Sequence, residues 1–214
     1  MVKATPLLSR RRIIAATAAS AAASAIGAPA WAALLPTARQ TAGPFYPRTK
    51  PLDSDNDLVI VSGRSGRAKG TILHLGGRIL DAHGRPVHGA RVEIWQCDAF
   101  GRYHHPRDGG GADPNFQGFG QNATGADGVY RFRTIRPVRY TGRTPHIHFA
   151  VFGDGFDRLT TQMYVAGEPD NASDGILNSV RDPKARNALI VALAPAADAE
   201  PDALAGLFDI VVSR

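Results

Sequence analysis

From Thr71 onward the sequence is a succession of short apolar runs, each bounded by Gly, Pro, Asp or Asn, and this spacing restricts the fold more than any other feature. Thr71 to Asp81 reads as a strand, and Gly84 and Pro86 after it mark a turn. Between Gly89 and Gln96, residues Ala90, Val92 and Ile94 alternate with Arg91, Glu93 and Trp95, the two-residue period of a strand with two distinct faces. Further strands are expected at 129–135, 145–152, 159–165, 188–193 and 207–212. Only 174–180 and a turn near 201–204 look briefly helical. Many short strands and few helices predict an all-β fold, a β-sandwich of mostly antiparallel strands with long loops around its site.

Two segments break this rhythm. Residues 33–70 lack regular apolar patterns and carry turn formers such as Gly43-Pro44 and Pro47, so they read as an extended arm leading into a domain at 71–214. Cys97 to Gly128 is long and rich in Gly, Asp and Asn; a loop of that length inside a compact β domain is functional or disordered. Tyr103, His104, His105, Phe116 and Phe119 within it favour function.

The amino terminus follows different rules. Ser9-Arg10-Arg11-Arg12 precedes a weakly apolar run from Ala15 to Gly27, then Ala28-Pro29-Ala30-Trp31-Ala32. This is the layout of a twin-arginine export signal over residues 1–32, cleaved after Ala30 or Ala32, and it predicts a periplasmic or extracellular protein. The run is too short and too weakly apolar to remain as a membrane anchor. The full chain of 214 residues carries a formal charge of +6, but Lys3, Arg10, Arg11 and Arg12 leave with the signal and no acidic residue does, so about +2 remains. That removes the electrostatic case for a nucleic-acid partner. With a single cysteine, Cys97, no intrachain disulfide can brace the exported chain, and a bound metal is a candidate substitute.

His146-Ile147-His148 lies within an apolar strand, and side chains at i and i+2 of a strand share a face, so both imidazoles can converge on one ion. Alone the pattern is weak, because two histidines on a solvated face would look the same. Its company strengthens it: Gly101-Arg102-Tyr103 after the Trp95 strand, Arg136 to Tyr140 after the next, and Gly142-Arg143-Thr144-Pro145 leading into the histidines.

Together with Thr41-Ala42-Gly43-Pro44-Phe45-Tyr46-Pro47 and Thr161-Gln162-Met163-Tyr164, these motifs resemble, in order, the intradiol ring-cleavage dioxygenases, the group of protocatechuate 3,4-dioxygenase and catechol 1,2-dioxygenase. The resemblance implies Fe(III) held by Tyr103, Tyr140, His146 and His148, with no organic cofactor. It implies a catechol substrate and O2, ring opening between the hydroxyl-bearing carbons, and a cis,cis-muconate-type product. It further implies that Tyr140 leaves the metal to take a substrate proton, and that Arg143 with its partner Gln162 stabilises charge on the ring. Two tyrosinates at neutral pH need a strongly acidic metal, since a free phenol titrates near 10.

His104 and His105 read as exposed loop histidines, and Trp95 as a packing residue. Only five residues separate Tyr140 from His146, which predicts a more open pocket than the family's longer loop gives. The helical amino-terminal domain of catechol 1,2-dioxygenases is not matched here, so no assembly state carries over, and a homo-oligomer is compatible with the sequence. A rival reading, a secreted transthyretin-like binding or scaffold module, rests on the strand-turn-strand pattern from Gly77 to Val92 and does not account for the tyrosines and histidines. A zinc or copper hydrolase would need a third histidine or a carboxylate that no motif supplies.

Overall fold

The longest strand, β1 (Ile72–Asp81), organises the first of two sheets. On one edge it pairs antiparallel with β4 (Val129–Ile135). Its other edge is shared by two short parallel strands, β9 (Leu204–Leu207) along Leu73 to Gly76 and β10 (Ile210–Val212) along Ile79 to Asp81. The strand expected over 207–212 is thus broken at Phe208 and Asp209. Phe208 is buried and donates its amide to Gly76 O at 2.8 Å, an approach that only glycine permits opposite, since a Cβ on Gly77 would sit 2.0 Å from Phe208 O. A short strand β8 (Ala194–Pro195) flanks β9.

The second sheet runs β3-β2-β5-β6-β7, with β2 (Arg91–Trp95), β3 (Phe119–Ala123), β5 (His146–Phe152), β6 (Leu159–Val165) and β7 (Ile190–Val191). Its pairings are antiparallel except β6 with β7. Both sheets are therefore mixed, and antiparallel pairing predominates, in keeping with the β-rich expectation. The core between them holds Leu73, Leu75 and Ile79 from one sheet against Val92, Ile94, Ile147, Phe149 and Met163 from the other. Each such fully buried aliphatic or aromatic side chain stabilises the fold by about 1.5–3 kcal/mol.

This computed structural model describes residues 33–213, so the export signal expected at 1–32 lies outside the described residues. Residues 33–70 form no extended strand, only isolated bridges such as Asp57 with Arg133, yet Leu58, Val59 and Ala68 sit inside the core. The helical expectation at 174–180 corresponds to α1 (Gly175–Asn178). A second short helix, α2 (Pro183–Asn187), follows, and the turn near 201–204 leads into β9. No helix among the described residues is long and apolar enough to cross a membrane.

What positions the site is that β5 is buried on both faces. Ile147, Phe149 and Val151 enter the core between the sheets. The opposite face is roofed by the arm and by the loop after β2, where Phe45, Tyr46, Trp95, Tyr103, Phe119 and Tyr140 form a second, aromatic cluster.

Candidate metal centre

His146 and His148 leave β5 on this roofed face, and their Nε2 atoms lie 3.2 Å apart. Thr144 O accepts from Nδ1 of His146 at 2.6 Å; a carbonyl can only accept, so the proton sits on Nδ1 and Nε2 offers a lone pair. His148 is fully enclosed. Trp95, its cross-strand partner on β2, stacks flat on the ring at 4.9 Å. The arm passes close to the same ring at Gly43, whose positive φ of 67° and missing side chain suit the approach; a Cβ there would meet His148 Cε1 at 3.4 Å.

Both tyrosines arrive on loops. After β2, Asp98 accepts the amides of Phe100 and Arg102 and turns the chain so that Tyr103 folds back over the sheet, where Phe45 stacks on it at 4.5 Å. After β4, the run 136–140 delivers Tyr140, and Arg143 N donates to Tyr140 O at 2.8 Å in a tight turn through Gly142. The rings of Tyr103 and Tyr140 are 5.3 Å apart, Tyr140 is 5.4 Å from His146, and Tyr103 is 6.4 Å from His148. The four residues named from the sequence therefore stand together.

Burial, aided by nearby Arg143, lowers the pKa of His146 to about 4. Burial, then His146 and Arg143, takes His148 well below the ordinary histidine range. Both imidazoles are neutral at pH 7 and free to donate electron pairs. Burial, with Tyr140 beside it, raises Tyr103 well above a free phenol. Tyr140 is raised by burial too, opposed by the neighbouring Tyr103 hydroxyl and Arg143.

These atoms fit a bound cation. Tyr103 Oη is buried with no well-formed hydrogen bond and only the Tyr140 hydroxyl beside it, an arrangement that costs about 1–3 kcal/mol unless something else satisfies it. Among the described residues no group of three or more His, Cys, Asp or Glu comes together, so the oxygens that complete a donor set here are phenolic. Two imidazoles with two phenolates suit a hard trivalent ion, whereas zinc sites draw on cysteine, histidine and carboxylate.

Arg143 lies at the edge of this cluster. Its Nη2 donates to Gln162 Oε1 at 2.7 Å, joining the two residues that the motifs paired, and its Nε donates to Asp174 Oδ2 at 2.8 Å. Tyr164 closes the group: its hydroxyl donates to Gln162 Oε1 at 3.1 Å and its ring is 5.9 Å from His146. The sequence places Tyr164 within a motif but gives it no role, and it marks Asp174 only as the start of a helix. His104 is exposed as expected, its ring bonded to Asp113 O. His105 is not: it is buried, capping a 3-10 turn through Arg107 N, with its ring edge-on to Phe45. A cleft of about 690 Å³ beside Tyr103 is lined by Phe45, Trp95, Tyr103, His105 and Phe119 but by none of Tyr140, His146 and His148.

A family model described as Dioxygenase matches residues 41–214. The chain is 42% identical over 168 residues to the protocatechuate 3,4-dioxygenase beta chain of Burkholderia cepacia, covering 74% of this chain and 71% of that one.

This chain is a member of the intradiol dioxygenase family.

Membership meets the expectation of an oxidoreductase of this type. Another member, the catechol 1,2-dioxygenase of Acinetobacter baylyi, is 34% identical over 156 residues, covering 64% of this chain and 49% of that enzyme. This chain thus spans about half the length of that relative. Among solved structures, the dioxygenase domain of a dioxygenase carbohydrate-binding protein fusion from Streptomyces sp. SirexAA-E superposes with a TM-score of 0.63 at 32% identity, covering 83% of this chain and 98% of that one.

Proposed function

We propose that this intradiol dioxygenase holds Fe(III) through Tyr103, Tyr140, His146 and His148 and opens a catechol between its hydroxyl-bearing carbons with O2, giving a cis,cis-muconate-type product. One observation carries the reading: two neutral imidazole nitrogens 3.2 Å apart face a pair of adjoining tyrosines on a closed sheet face. When bound, the ion would supply a strong Lewis acid that keeps both phenols ionised and draws electron density from a chelated catechol.

The protein's own groups divide the remaining work. Tyr103 is almost wholly enclosed, whereas Tyr140 is half-buried and stands on a turn, so Tyr140 is the phenol free to swing away and accept a substrate hydroxyl proton. Arg143, positively charged and held by Gln162, stabilises negative charge on the ring oxygens, an effect worth a few kcal/mol at the reacting centre. Trp95 and Tyr103 pack their rings beside His148. Both oxygen atoms end in the product, one on each new carboxylate. We further propose that the twin-arginine segment exports the folded, metal-loaded chain.

Ferric loading tests the reading. Tyrosinate bound to Fe(III) is red-brown, so the loaded protein should be coloured, lose intensity in Tyr103→Phe and Tyr140→Phe, and consume O2 with catechol, protocatechuate or hydroxyquinol. A loaded protein that stays colourless overturns it.

A further inference from the structure

We propose that Asp174 is the positioning residue for Arg143, fixing the guanidinium at the edge of the donor cluster and tying that orientation to the segment that carries His146. The proposal rests on the function given above, in which Arg143 faces the substrate.

Asp174 is 1% exposed and divides its two oxygens between two tasks. Oδ1 caps α1, accepting from Ile176 N at 3.0 Å and Leu177 N at 2.9 Å. Oδ2 reaches back some thirty residues in sequence, accepting from Arg143 Nε at 2.8 Å and Thr144 N at 3.1 Å. A cap requires only the first of these. At α2, Asp182 makes the same cap with one oxygen, on Lys184 N and Ala185 N, at an exposed position. Enclosing a carboxylate only to start a helix of four residues would be strongly unfavourable, because a buried charge without a partner is destabilising. Its burial is explained by the arginine opposite.

The hold is two-sided. With Nε on Asp174 and Nη2 on Gln162, the plane of the guanidinium is fixed, and Gln162 is itself anchored by Nε2 on Thr41 O at 3.0 Å. Gln40 Nε2 donates to Ile176 O at 3.0 Å, so the arm also grips the helix that Asp174 begins. Through Thr144, whose amide donates to Asp174 and whose carbonyl receives His146 Nδ1, the same carboxylate is two hydrogen bonds from the protonated ring nitrogen that orients His146. Burial would push the Asp174 carboxyl up, yet Arg143 and the amides of Leu177 and Thr144 hold it below the ordinary carboxylate value.

The test uses Asp174→Asn, Arg143→Gln and the double variant in iron-loaded protein. Asparagine caps helices as well as aspartate does, so Asp174→Asn keeps the cap while turning an amide donor toward Arg143. Asp174→Ser, which also caps but cannot reach Arg143, serves if the first variant folds poorly. Asp174→Asn should retain the tyrosinate colour, lower kcat/KM by about 10- to 100-fold, and expose Arg143 to phenylglyoxal, read by mass spectrometry. The double variant should match Arg143→Gln within about twofold, because residues acting through one group are not additive. Asp182→Asn should change none of these readouts. Three results would each overturn the proposal: Asp174→Asn within about twofold of the parent, losses that multiply in the double variant, or unchanged protection of Arg143. If the parent is colourless and inactive, the iron reading has failed, and the labelling still decides whether Asp174 holds Arg143.

Discussion

Trp95 lies flat against His148, with ring centroids 4.9 Å apart and planes 5° from parallel. The two are register partners on β2 and β5, so the strand pairing that builds the sheet also sets the tilt of one imidazole. Trp95→Ala should cost about 3–5 kcal/mol in urea unfolding, the usual penalty for an aromatic cavity. Ferric titration should show weaker binding as well, since His148 can then tip into the void. Trp95→Phe, which keeps a ring beneath the imidazole, should lose less on both measures. Equal ferric affinity in all three proteins would show that the stacking does not orient His148.

Tyr103→Phe should separate stability from function. Tyr103 Oη is buried with no well-formed hydrogen bond and only the Tyr140 hydroxyl beside it, so deleting it removes a poorly satisfied group that costs at most about 1–3 kcal/mol while leaving the ring and its Phe45 contact in place. Metal-free Tyr103→Phe should therefore melt at or above the parent temperature and yet bind ferric iron far more weakly. A variant that melts well below the parent would mean the hydroxyl has a structural partner.

Much of this site is legible before folding because strand geometry is periodic. The two-residue spacing of His146 and His148 places both on one face, whereas Trp95 joins that face only through the register of β2 on β5. No comparable rule exists for a tyrosine on a loop, so Tyr103 and Tyr140 were readable only through the motifs around them. β3 escaped notice because Phe119-Gly120-Gln121-Asn122-Ala123 has little strand propensity; its pairing with β2 and its bond from Gln121 N to Ser54 O on the arm supply what the local sequence lacks. Asp174 looked like a helix cap because one of its oxygens is a cap. The partner of its other oxygen is a tertiary fact.

Acid should loosen the metal-free protein through its two site histidines. The folded pKa of His146 is about 4 and that of His148 lies well below the ordinary value, in both cases chiefly through burial, while unfolded histidine titrates near 6.5. The unfolded chain thus binds more protons below pH 6.5, and stability falls as pH drops from there toward 4. Above pH 7 the contribution is complete and flat. A His146→Gln/His148→Gln double variant should show a shallower decline in melting temperature between pH 6.5 and 4.5. Identical slopes would mean that the imidazoles are charged in the folded state.

Glu93 fastens the arm that roofs the site. It is fully buried on the outer face of β2, where it accepts from Tyr46 Oη at 2.8 Å, from Lys50 Nζ, and pairs with Arg91 Nε at 3.1 Å. Burial and the Glu93 bond together push the Tyr46 phenol to about 12, so it remains a donor at neutral pH. Lys50 and Arg91 are partly exposed, which screens their share, so Glu93→Ala should cost about 1–3 kcal/mol, mostly from the Tyr46 hydroxyl left without an acceptor. The more specific consequence is local. The same arm brings Gly43 over His148 and Thr41 O to Gln162, so freeing Tyr46 and Lys50 should open Arg48 to trypsin and raise KM before it lowers the melting temperature. Trypsin that cuts parent and variant at Arg48 at the same rate would show that the arm is held by its buried Leu58 and Val59 alone.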